Sequence, residues 1–165
     1  MLGDAQNADR AGTLLPPGQM FTVRRRAAGD VELLSYGELL RNRVSLYVQG
    51  GNGTLGCDSF LGLAQPVPVT LNAAALVDLA HPATSPVRPS ASRFAVVDQM
   101  LLYSPATVGF GGAPTRAFIY IQGQGWRELG SPAVNIGDTV TLEPGQAVVI
   151  RKSKTSIGTD WLQPQ

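Results

Sequence analysis

The sequence predicts an all-β fold: a sandwich or barrel of short antiparallel strands with one or two short helices. Three observations predict it. Short apolar runs recur between Gly and Pro residues, of which the 165-residue chain has 19 and 12; this is the pattern of strands joined by turns. Helical periodicity is confined to two stretches of about two turns each. One unit consisting of a turn followed by a strand occurs twice in the chain.

Taken in order, residues 1–12 are small and polar and read as a flexible lead-in, and residues 13–165 read as one β domain. Strands are predicted over 20–26, 44–49, 67–71, 94–103, 117–122, 139–142 and 147–151. The run Phe118-Ile119-Tyr120-Ile121 is apolar on both faces, which suits a central strand covered on both sides. Asn72 is placed to cap a short helix over 73–79, and Ser35 another around 37–40. Residues 81–92 contain Pro82, Pro86 and Pro89, each of which removes a backbone donor and fixes φ. The segment reads as a crossing loop, or as the junction between two half-units.

The internal repeat sets 15–25 against 142–152, with Leu, Pro, Gly, Gln and Arg coinciding without a gap. Pro presets the first turn position, Gly relaxes the next, and an apolar strand exits into basic residues. A weaker match sets 43–50 against 116–123. If the first repeat is a duplicated unit, its N-terminal copy lacks the strands that precede the second. Either the chain is a trimmed piece of a longer protein, or a neighbouring subunit supplies those strands by pairing.

Composition excludes several classes of function. Thirteen basic and twelve acidic residues leave a net charge of +1, so no field gathers nucleic acid. Only 15% of residues are charged, against about a quarter in most globular proteins. The surface is therefore neutral and polar, with little like-charge repulsion between copies. The longest runs without a charge are punctuated by Pro and Gly and so do not amount to the ~20 apolar residues of a membrane span. The N-terminus has no basic segment followed by an apolar stretch, so it does not read as a signal peptide. With one His and one Cys, zinc clusters and disulfide frameworks lack the side chains they need.

The order 58–63 (DSFLGL), 66–71 (PVPVTL), 98–102 (DQMLL), 125–127 (GWR) and 142–151 resembles a family of uncharacterised exported proteins from bacteria of the Verrucomicrobia group. The resemblance spans roughly residues 13–162. It implies a secreted or cell-surface protein, and because it carries no enzymatic activity it transfers no catalytic residue. The chain departs from the pattern in lacking an export signal and a C-terminal sorting tail.

Single residues offer few candidates for chemistry. Any histidine-based dyad must use His81, with Cys57, Ser85 or Ser90 as nucleophile; no nucleophile elbow supports one, and a solvated loop histidine is the simpler reading. The glycine-rich stretches 50–56 and 109–112 lack the Lys-Ser/Thr ending of a phosphate loop and read as hairpin turns. Asp58, Asp98, Asp138 and Asp160 would form a calcium site only by tertiary convergence. Arg24, Arg25, Arg26, Arg151 and Lys152 follow equivalent strands and are expected to converge on a sheet edge as assembly contacts. Trp126, Trp161 and Tyr120 are the residues for ligand stacking, on carbohydrate for example, if they reach one exposed face; core and rim packing beside the apolar strands is the simpler reading. No cofactor is expected.

These readings converge on a non-enzymatic structural or surface protein that self-associates, or docks on a larger assembly, through β-strand edges. Coat or decoration proteins of virus-like particles belong to the same class. The alternative is a carbohydrate- or ligand-binding β module.

Overall fold

Three apolar strands and two of mixed composition pair into one antiparallel sheet. In the computed structural model, which describes residues 43–64, 66–103 and 113–164, the strands are β1 (Ser45–Val48), β2 (Cys57–Gly62), β3 (Val69–Thr70), β4 (Gln99–Leu102), β5 (Arg116–Ile121), β6 (Gly125–Glu128), β7 (Thr141–Leu142), β8 (Ala147–Lys152) and β9 (Thr159–Leu162). The large sheet has the order β2-β8-β4-β5-β6, and β1-β9 and β3-β7 form two-stranded ladders. All these pairings are antiparallel. The fold is all-β.

Register decides which side chains meet. Residues directly opposite in a ladder share a face, so Ser59, Ile150, Met100 and Phe118 form one row across four strands. Leu61, Val148 and Leu102 form the next. The apolar members of both rows join Trp126 and Trp161 in one cluster. The opposite face of the same strands carries Val149, Leu101 and Ile119, each at most 1% exposed. The central strands are therefore buried on both sides, as the apolar run 118–121 predicts.

Trp161 explains how the small β1-β9 ladder is tied in. Its indole is fully buried, and Nε1–H donates to the Ala74 carbonyl at 2.8 Å. The predicted helix over 73–79 is replaced by a turn at 71–75. Asn72 does not cap it. Its amide instead donates to Asp138 Oδ1 at 2.8 Å, and its backbone N–H donates to Gly137 O. Ala75 has φ of +53°, a conformation that stops a right-handed helix after one turn. Leu76 is left to drop into the core. A two-turn helix has little cooperativity to resist such local competition.

The 81–92 segment is packed into the molecule. A single 3₁₀ turn, Pro82–Thr84, opens it, and Ser85, Val87 and Ser90 are fully buried. Ser90 donates to Tyr120 O and accepts from Gln122 N, a parallel bridge on β5 beyond the point where β4 turns away. The second copy of the repeat has the expected form: Gly145 sits at φ of +71°, where a side chain would be strained, and β8 follows. The first copy, the helix expected at 37–40 and the lead-in lie outside the described residues.

Candidate functional site

Alternation along β8 sends Arg151 and Lys152 to opposite faces, and each becomes the centre of a different polar cluster. Val148, Ile150 and Lys152 share the core face, so the Lys152 ammonium enters the interior. It meets Asp98 Oδ2 at 3.1 Å, with both side chains fully buried, and donates to the Ser85 carbonyl at 2.7 Å. Asp98 is saturated further: Oδ1 accepts from Ser156 Oγ at 2.6 Å and Ser153 N at 2.9 Å, and Oδ2 accepts from Arg88 N at 2.9 Å. Burial pushes Lys152 below the ordinary lysine pKa, while Asp98 pulls it back up. Nearby, buried Gln163 accepts from Ala64 N and donates to Gly62 O, closing one end of β2.

Arg151 points to the other face. There it forms a two-pronged pair with Asp58, Nε to Oδ1 and Nη2 to Oδ2, both at 2.8 Å. Register places Asp58, Arg151 and Gln99 in one row across β2, β8 and β4. The hydrogen bonds to Asp58 hold the guanidinium above its ordinary pKa. This row floors an open groove of about 520 Å³, which Leu55, Val97, Ser153 and Lys154 help to line. One wall is a turn in which Asn52 Oδ1 accepts from Thr54 N and Leu55 N. Gly56 continues that wall against the Lys152 carbonyl, so close that a Cβ would collide with the oxygen.

Several sequence expectations are corrected here. Lys152 is not an assembly contact, because it is fully buried and ion-paired. The basic end of β8 does not mark a sheet edge, because β8 lies between β2 and β4. Arg151 remains half exposed, but its charge is engaged by Asp58. Arg24, Arg25 and Arg26 lie outside the described residues. Trp126 and Trp161 are 1% and 0% exposed, so they serve the core and offer no stacking platform. Tyr120 packs edge-on against Trp126, with ring centroids 5.6 Å apart.

The other candidates do not converge. His81 is an exposed loop residue whose Nδ1 lies 3.0 Å from Asp78 Oδ2, whereas Cys57 lies on β2 opposite Lys152. Ser85 Oγ is engaged with the backbone of Asp78, and Ser90 Oγ accepts from Val97 N. Asp58 and Asp98 each hold a separate cation, and Asp138 holds Asn72. Among the described residues no three His, Cys, Asp or Glu side chains gather into a metal-binding group. No described helix is long and apolar enough to cross a membrane. The sequence offers Asp98 only as one of four calcium-ligand candidates; its role as the buried partner of Lys152 has a single local signal, an acidic residue directly before the apolar strand 99–102.

Comparison with family models, with curated proteins and with solved structures finds no match for this chain.

Proposed function

We propose that this chain is a non-enzymatic structural β domain that associates with copies of itself or with a larger assembly through a strand edge. The observation that carries the reading is Phe60, 55% exposed on β2, the terminal strand of the large sheet among the described residues. An edge strand presenting an aromatic side chain and few charges is a ready template for another chain. Two further facts support it. Charged side chains of the large sheet and its flank are committed to one another, as Asp58–Arg151, Asp98–Lys152 and Glu128–Arg116 pairs. Both tryptophans that a stacking module would expose are inside.

The test is native mass by analytical ultracentrifugation over a concentration series. Wild type is expected to populate a dimer or larger species that Phe60→Lys returns to monomer, since a charge on an edge opposes pairing. A wild-type monomer at every concentration would refute the proposal. The extracellular or cell-surface location implied by the family resemblance belongs to the same reading; fractionation of the source cells, with the chain found in the cytosol, would refute that part.

A further inference from the structure

The groove over β2, β8 and β4 has a use independent of assembly. We propose that it binds a small acidic saccharide of the uronic-acid class, with the ligand carboxylate held between Arg151 and Lys154. Asp58 engages Nε and Nη2 of Arg151. That leaves the Nη1 edge without a partner among the described residues and fixes the plane of the guanidinium before any ligand arrives. A fork locked by a carboxylate loses little rotamer freedom on binding, and guanidinium matches a carboxylate geometrically. Lys154 lines the same groove and is exposed. Of the charged residues that line the groove, Lys152 turns its ammonium into the core to pair with Asp98, so Asp58, Arg151 and Lys154 leave the groove face a net charge of +1, which favours an anion over a cation.

The remaining lining fits the rest of a sugar. Gln99 adds an amide beside Arg151 in the same row, and Thr54 adds a hydroxyl, groups suited to the paired donors and acceptors of ring hydroxyls; the Ser153 hydroxyl is already engaged with Thr155 and Ser156. Leu55, 66% exposed on the rim, offers an apolar surface to the C–H face of a pyranose. A groove of about 520 Å³ is in the size range of small-molecule sites, roughly 300–1,000 Å³, and larger than one inorganic anion needs. The wall built by Asn52 and Gly56 is held by its own hydrogen bonds and by contact with β8, so the site exists before the ligand binds.

The experiment is an amide NMR titration of the full chain with glucuronate, glucose and inorganic phosphate in parallel. Glucuronate is expected to shift the amides of Gly56, Ser153 and Lys154, while glucose at the same concentration leaves them in place. Lys154→Gln, at an exposed position, is expected to weaken glucuronate binding by roughly tenfold or more, the loss of one charge-assisted hydrogen bond. Arg151→Gln is expected to abolish binding; if that variant fails to fold, Lys154→Gln together with Leu55→Ala carries the test. The proposal is overturned by the absence of glucuronate shifts, by equal shifts from glucose, by phosphate shifting the same amides as strongly (an adventitious ion only), or by unchanged binding in Lys154→Gln.

Discussion

Replacing Asp98 by Asn removes one charge from the buried pair while keeping the shape of the side chain. The amide oxygen can still accept from Ser153 N and Ser156 Oγ, which meet Oδ1 in the wild type. The new NH₂ group, however, faces two donors, Arg88 N–H and the Lys152 ammonium. Breaking one side of a buried ion pair costs about 3–5 kcal/mol. Lys152 has one escape, which is to lose its proton. From an ordinary lysine value near 10.4, deprotonation at pH 7 costs about 4.6 kcal/mol at 1.36 kcal/mol per unit, so this route caps the charge penalty in the same range. Against a typical total stability of about 5–15 kcal/mol, Asp98→Asn is expected to leave the fold marginal.

Lys152→Met leaves Asp98 its three other donors but removes the counter-charge of a buried carboxylate and orphans the Ser85 carbonyl, and is likewise expected to cost about 3–5 kcal/mol. The double variant is expected to cost less than the sum of the two. The sign of the pH dependence follows from burial holding Lys152 below its unfolded value. Below the folded pKa both states are protonated and stability is flat. Between the folded and unfolded values the unfolded chain alone holds the proton, so stability rises with pH by up to about 1.4 kcal/mol per unit. Asp98 opposes the lowering, so Asp98→Asn extends that rising window toward neutrality. Urea denaturation at a series of pH values reads both effects. A penalty under about 1 kcal/mol, or a stability that does not rise with pH in the variant, would refute the account of the buried pair.

Other positions give sharper or blander outcomes. Gly56→Ala drives a methyl group into the Lys152 carbonyl and is expected to cost about 1–3 kcal/mol, seen as a fall in melting temperature of a few degrees per kcal/mol. Trp161→Phe keeps most of the apolar volume but orphans the Ala74 carbonyl, an expected loss of about 1–3 kcal/mol by urea denaturation. Arg116→Gln breaks a two-pronged pair with Glu128 whose side chains are 40% and 26% exposed. Solvent screening limits its cost to about 1 kcal/mol or less, and a larger loss would show that Arg116 also matters through its position over the Phe118 ring.

The strands legible in the sequence are those whose own residues settle the matter. Runs such as 117–122 and 147–151 are apolar and β-branched, and they appear within a residue of their expected bounds as β5 and β8. The strands β2, β6 and β9 were not predicted: their sequences CDSFLG, GWRE and TDWL have mixed propensity, and each is made a strand by its partner. Residues 94–98 read as the start of a strand, but only Gln99–Leu102 forms one, because Asp98 turns inward to collect its donors. Lys152 reads in the sequence as an edge contact, because its charge outweighs the period-two alternation through Val148, Ile150 and Lys152 that sends it to the core face. Its anionic partner was not readable, since nothing local links position 152 to position 98. The groove was equally hidden, because its floor is drawn from three strands brought together only by register.

The cluster around Asp98 joins segments that are far apart along the chain: its bond to Ser156 spans 58 residues, and the bond from Lys152 to Ser85 spans 67. Such loops must close before any of these bonds forms, and closure of long loops slows assembly. The cluster therefore belongs late in folding, after β4 and β8 have paired, and works as a latch that holds the finished sheet shut. Variants there are expected to leave the refolding arm of a denaturant chevron nearly unmoved and to steepen escape from the native state, so the latch governs the lifetime of the folded protein more than the speed of its formation.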